Sequence, residues 1–275
     1  MTPDAAALVA AREALRTRIP VVLIHLVSSR GVGGDEPGLR AWYTDAEGLT
    51  GSVHNSEVEA VVAREAASVL VSGHPRMITL GTNGTGATRR DSEYVRVFLD
   101  VVVATPRLLI VGAGHIAQPL ANISSVLGFE TVVLDERADF ANRDRFPSAD
   151  EVFARPIEAF LEDFVIDDRT FVVLVTRAHR FDEAALRLLL GSPAPYIGMI
   201  GSRRRVHVVY KTLLDEGFRS EQFERVFAPI GLDIGAKTPA EIALAISAEL
   251  INVRRHGRGS HLSIGDFRLG QAGRS

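Results

Sequence analysis

The sequence predicts an α/β protein, a doubly wound parallel sheet preceded by a smaller α+β domain. Three observations carry this reading. After residue 106, short apolar runs alternate with helix-period stretches, the pattern of parallel strands joined by crossover helices. Leu108-Leu109-Ile110-Val111 runs into Gly112-Ala113-Gly114-His115-Ile116-Ala117 and then into Leu120, Ile123, Val126 and Leu127 at helical spacing. A further run, Thr131 to Leu134, ends in Asp135, about twenty residues beyond the glycines, where a Rossmann unit places its ribose-binding carboxylate.

Each residue of the glycine turn has a physical task in such a unit. Gly112 permits the tight turn, Gly114 lets backbone approach a pyrophosphate, and Ala117 is small enough for the helix to pack on the strand. The helix start then offers N–H groups and a positive dipole end to phosphate. A nucleotide-type ligand follows, although glycines in this pattern also serve packing alone.

Composition narrows the classes. The chain has 275 residues, enough for two domains. A net charge of −3 gives no general attraction to nucleic acid or an anionic membrane. No apolar run reaches about 18 residues, and Met1 to Arg18 reads as an amphipathic helix rather than a leader, so a cytoplasmic protein is expected. With no cysteine there are no disulfides, thiolate metal sites or cysteine nucleophiles, and no metal-ligand set is expected.

Taken in order, residues 4 to 18 form a helix stopped by Pro20, and Val21 to Val27 a buried strand. Ser28 to Gly38 is a glycine-rich loop, Leu39 to Thr44 an alternating strand, and Asp45 to Gly48 a turn. A helix from about Glu57 to Ser72 has Ser56 as its N-cap. Gly81 to Ser92 reads as a mobile polar loop, and Tyr94 to Val103 as a β-branched strand. A hinge at Ala104-Thr105-Pro106 separates a domain of residues 1–105 from one of residues 106–256; residues 257–275 are a disordered tail.

In the second domain strands fit at 108–111, 131–134, 151–154, 171–175 and 196–200. Ligands of open parallel sheets sit outside the carboxyl ends of the strands, so the loops there hold the candidates. After the fourth strand, Thr176, Arg177, His179 and Asp182 form a cluster suited to phosphate binding or proton transfer; alternatively Asp182 caps the next helix and His179 lies on the surface. After the fifth, Gly201-Ser202 opens a helix with Arg203, Arg204 and Arg205 in its first turn. Cations are unfavourable there, so a nearby anion would explain them. Asp233, between Gly231 and Gly235, is a further candidate, whereas Thr238-Pro239-Ala240-Glu241 spells a capping box.

Residues 106 to 252 resemble the Rossmann domain of the XdhC/CoxI family. The likeness rests on Gly112 to His115, Phe140-Ala141-Asn142-Arg143-Asp144-Arg145-Phe146-Pro147, Thr176-Arg177 with His179 and Asp182, Tyr196 to Arg203, and Pro229 to Gly235. It implies an accessory protein that binds molybdenum cofactor, protects it during sulfuration by a cysteine desulfurase and hands it to a molybdenum hydroxylase. A homodimer is expected. The first domain departs from the family pattern: His54-Asn55-Ser56 follows Gly51-Ser52-Val53 where a Gly-Gly-Gly-Cys turn is usual. Asp91-Ser92-Glu93 replaces Cys-Gly-Gly, and Gly34-Asp35 stands in place of Pro-Arg.

Two functions are thus expected of the crevice. In the accessory reading, Gly112 to Ala117 and Arg203 take the phosphate or nucleotide end of molybdopterin. In the alternative, an NAD(P)-dependent oxidoreductase, Asp135 binds the ribose and a small-molecule substrate lies between the domains, with His179 or His115 as general acid or base. Asp135 favours NAD; Arg137 leaves NADP open.

Overall fold

The computed structural model describes residues 3–31 and 36–262. The chain divides at Ala104/Thr105 into two compact units. The first contains helix α1 (Pro3–Thr17), strands β1 (Val21–Arg30), β2 (Gly38–Thr44) and β3 (Gly48–Gly51), helix α2 (Ser56–Ser72), and strands β4 (Arg76–Leu80) and β5 (Tyr94–Val102). The strands form an antiparallel sheet in the order β3-β2-β1-β5-β4. Side chains alternate across a strand, and β1 is apolar on both faces because both are covered. Val22, Ile24 and Leu26 pack with Val58, Val62, Ala66 and Val69 of α2, while Val21 and Leu23 pack with Ala7 and Ala14 of α1.

The second unit alternates strand and helix except between β7 and β8, where the expected crossover helix is replaced by turns over residues 136–150: β6 (Arg107–Val111), α3 (Ala117–Val126), β7 (Glu130–Asp135), β8 (Glu151–Ala154), α4 (Ile157–Asp163), β9 (Thr170–Leu174), α5 (His179–Leu189), β10 (Tyr196–Met199), α6 (Arg203–Asp215), β11 (Val226–Phe227) and α7 (Pro239–Arg254). Its parallel sheet has the order β11-β10-β9-β6-β7-β8. Numbered from β6 as one, this is 6-5-4-1-2-3, the doubly wound order of dinucleotide-binding folds, with its switch point between β6 and β9. Both faces are buried. Leu109, Val111, Val172 and Leu174 pack under α4, α5 and α6; Leu108, Ile110, Phe171 and Val173 pack under α3 and α7. Among the described residues no helix is long and apolar enough to cross a membrane.

Several local expectations change. β1 runs on to Arg30 because Ser28, Ser29 and Arg30 pair with Arg96, Val95 and Tyr94, so backbone pairing carries polar residues into the strand. Residues 32–35 of the expected glycine loop lie outside the described residues, as does the tail from 263. Gly48 begins β3 rather than ending a turn. The cap of α2 is Asn55, whose side chain accepts the Val58 N–H at 3.0 Å, so Ser56 is the first helical residue. Gly81 to Ser92, expected to be mobile, is closed by backbone bonds from Gly81 to Thr85 and from Ala87 to Thr79, and the Asn55 amide donates to the Thr82 carbonyl at 2.7 Å. A sixth parallel strand, β11, is only two residues long and gave no periodic signal.

Candidate functional site

The switch point puts the ends of β6, β7 and β9 side by side. A shallow crevice there is lined by Gly112, Asp135, Glu136, Ile157, Thr176, Arg177 and Phe181. Four expected site residues, Gly112, Asp135, Thr176 and Arg177, are thereby brought together from three different strand ends. Gly112 is required by close approach: at φ +107° a Cβ would lie 2.6 Å from the Val175 carbonyl oxygen and 3.1 Å from the Thr176 Cα. Gly114 is different, since a Cβ there would meet no atom of the described residues beyond its chain neighbours within 4 Å. Ala117 is buried at the start of α3, against the sheet. Ile116 is the N-cap of α3 and supplies no side-chain hydrogen bond, so this helix start is uncapped. His115 is exposed in the turn.

Asp135 sits where the spacing places it, but its carboxylate is occupied. One oxygen accepts the Ala113 N–H at 2.8 Å and an Arg137 guanidinium N–H at 2.9 Å; the other accepts the Arg137 Nε–H at 2.9 Å and backbone N–H at 3.1 Å. Burial alone would raise the pKa of this carboxyl, yet the Arg137 and backbone hydrogen bonds outweigh it and hold the group below the usual aspartate value. Arg137 is itself fixed, its guanidinium 3.7 Å from the Phe140 ring centroid.

Arg145 stacks on the same ring at 4.8 Å, and its guanidinium reaches the Ala113 carbonyl at 3.4 Å. Its Nε is buried without a partner among the described residues. Sequence reasoning assigned this residue no role, although it lies in the Phe140 to Pro147 motif. The buried Phe146 beside it, and the Asn142 side chain that accepts the Arg145 N–H at 3.1 Å, orient it. Glu136 and Ile157 on the crevice wall were also missed; neither position carries a spacing signal.

Asp182 does not cap α5. The N-cap is Ala178, without a side-chain bond, and Asp182 is buried in the first turn, 0% exposed. It accepts from the Thr176 hydroxyl at 2.5 Å and from the Arg205 guanidinium. The anion that explains a cation at the start of α6 is therefore a carboxylate of the same chain, and it selects Arg205. Arg203 and Arg204 are exposed. Ser202 caps α6 by accepting the Arg205 N–H at 3.3 Å, and a Cβ on Gly201 would crowd the Arg205 side chain at 3.3 Å. Gly201, Ser202 and Arg203 thus form the start of α6, and none of them lines the crevice. His179 opens α5, but its side chain lies outside the described residues. Asp233 is exposed in the loop before α7; that loop is tied down by the Gly231 N–H, which donates to Glu249 at 2.9 Å.

Residues 108–250 match the family model of the XdhC Rossmann domain, and residues 14–81 that of the XdhC and CoxI family. The chain belongs to the XdhC/CoxI family. Its relatives include the uncharacterized protein YqeB of Escherichia coli (strain K12), 30% identical over 244 residues, which are 87% of this chain and 44% of YqeB. A probable xanthine dehydrogenase subunit of Bacillus subtilis (strain 168) is 32% identical over 159 residues, 58% of this chain and 46% of that one. The chain spans about half the length of the curated relatives it matches. A crystal structure of a xanthine dehydrogenase from Bacillus halodurans shares the fold, with a TM-score of 0.52 at 20% identity over 93% of this chain and 98% of that one.

Proposed function

We propose that this chain is an accessory protein that holds the phosphate or nucleotide end of molybdenum cofactor at the switch-point crevice, for maturation of a molybdenum hydroxylase. The observation that supports it most is the pairing of open space at Gly114 with the uncapped start of α3 and the Arg145 guanidinium, whose Nε has no partner among the described residues. A phosphate meets N–H donors and a positive dipole end at such a helix start, and a planar guanidinium binds it bidentately. Gly114, Arg145 and Arg177 would hold that end, with Thr176 fixed behind them by Asp182. The bound group would supply its metal chemistry to the client enzyme, while this chain binds and orients it. Without a cysteine, the chain offers no thiolate to the molybdenum–sulfur end, so any sulfuration by a cysteine desulfurase would act on the cofactor without a relay thiol from this chain. The name of the Bacillus subtilis relative favours a xanthine dehydrogenase-type client, and a cytoplasmic site of action goes with such a client.

The oxidoreductase alternative depends on a free Asp135 carboxylate to bind ribose, and the four donors on that carboxylate count against it. The test is mass spectrometry of the small molecules released when protein purified without oxygen is denatured. A molybdopterin or pterin phosphate, retained by the parent chain and lost in Gly114→Asp, is the expected result. NAD(P) released in its place would overturn the accessory reading.

A further inference from the structure

In a Rossmann unit that binds a dinucleotide, the carboxylate at the end of the second strand accepts the ribose hydroxyls. A carboxylate has about four lone-pair sites in all. In this chain all four are taken on Asp135: Ala113 supplies one N–H and Arg137 three, from its backbone, Nε and Nη2. The arginine is not a loose surface group that a ligand would sweep aside, because its flat face lies on Phe140 at 3.7 Å. What the strand end presents is the outer edge of a guanidinium, in place of the charged acceptor that ribose hydroxyls find in a dinucleotide-binding unit.

We propose that Arg137 is a specificity-determining residue: it blinds the crevice to ribose diols, so that ligands are held by their phosphate groups and not by a 2′,3′-diol. This rests on the phosphate-binding reading of the crevice and narrows it. The ligand class becomes phosphate esters, pterin or nucleotide, whose sugar hydroxyls contribute nothing at Asp135. Glu136 is the other carboxylate on the crevice wall, and it must be separated from Asp135 in any test.

The probes are ADP and 2′,3′-dideoxy-ADP, titrated calorimetrically into the full chain and its variants. The ratio of their affinities cancels any general loss of phosphate binding caused by removing a cation. The parent chain is expected to bind both with a ratio of about one. Arg137→Ala, in which Ala113 still orients the freed carboxylate, is expected to prefer ADP by about tenfold or more, as for hydroxyls bonding a charged acceptor. Adding Asp135→Asn should abolish that preference, and adding Glu136→Gln should leave it. Arg137→Lys keeps the charge without the fork and should show a partial preference; it carries the test if the alanine variant does not fold by circular dichroism. A parent chain that already prefers ADP tenfold, or a folded Arg137 variant without preference, overturns the proposal. If neither nucleotide binds the parent or the variants, the phosphate-crevice reading itself falls, a distinct result.

Discussion

Two glycines in one turn, Gly112 and Gly114, answer to different constraints. At Gly112 the constraint is internal, because φ is +107° and the Val175 carbonyl stands 2.6 Å from where a Cβ would be. Gly112→Ala is therefore expected to cost about 2–4 kcal/mol, from backbone strain plus a backbone clash, and to show it as a lower urea midpoint. At Gly114 none of the described residues occupies the space, so Gly114→Ala should change stability by only about 0.5 kcal/mol or less in the same measurement. The glycine spacing and the position of Asp135 were legible in the sequence because local geometry fixes them. The use of Asp135 was not. Arg137, two residues on, turns back onto the carboxylate because Phe140 offers it a face, and no spacing rule encodes that fold-back.

At the scale of elements, helix starts separate what reads from sequence and what does not. Thr238 and Glu241 form the capping box that their spacing predicts, with the Thr238 hydroxyl accepting the Glu241 N–H at 3.3 Å and Glu241 accepting the Thr238 N–H at 2.9 Å. Thr238→Ala should cost about 1 kcal/mol, read as a drop in the urea midpoint without loss of ligand binding. The arginines that open α6 are legible as an anomaly, but the remedy comes from α5, an element more than twenty residues earlier. Asp182 joins the Thr176 hydroxyl behind the crevice to Arg205. Asp182→Asn would leave Arg205 without its anion, and because that arginine is partly exposed the expected cost is moderate, about 2–3 kcal/mol. Asp182→Ala, which also removes the side-chain acceptor of the Thr176 hydroxyl and leaves it to the Ala178 carbonyl at 3.0 Å, should weaken phosphate binding as well; unchanged affinity in a destabilised protein would confine Asp182 to a structural role.

At the scale of the whole molecule, the four apolar clusters among the described residues fall two to each unit, and the sequence pattern of strands and helices made the second unit's winding readable. Its polar centre was not readable. Tyr196 in β10 is fully buried, its hydroxyl donates to Glu249 in α7 at 2.6 Å, and the same carboxylate accepts the Gly231 N–H. Strand, helix and the loop that follows β11 are joined at one carboxylate, by residues 53 and 18 positions apart. Burial first, and then the Glu249 charge, push the Tyr196 phenol well above its ordinary value of about 10. A folded-state pKa above the unfolded one means that the unfolded chain releases its proton first. The stability this contributes is complete below about pH 10 and is lost as pH rises toward the folded value. Tyr210, raised to about 12 by burial, adds a loss in the same window, so the contribution of Tyr196 must be taken as a difference between proteins. Urea midpoints at about pH 8 and about pH 10.5 should fall further in the parent chain than in Tyr196→Phe, which cannot ionise at this position. At the lower pH the variant should be weaker than the parent by about 1–2 kcal/mol, because Glu249 loses the phenol and keeps the Gly231 donor. Equal pH slopes in the two proteins would show that the phenol ionises without opposition and that the carboxylate does not bind strand to helix through it.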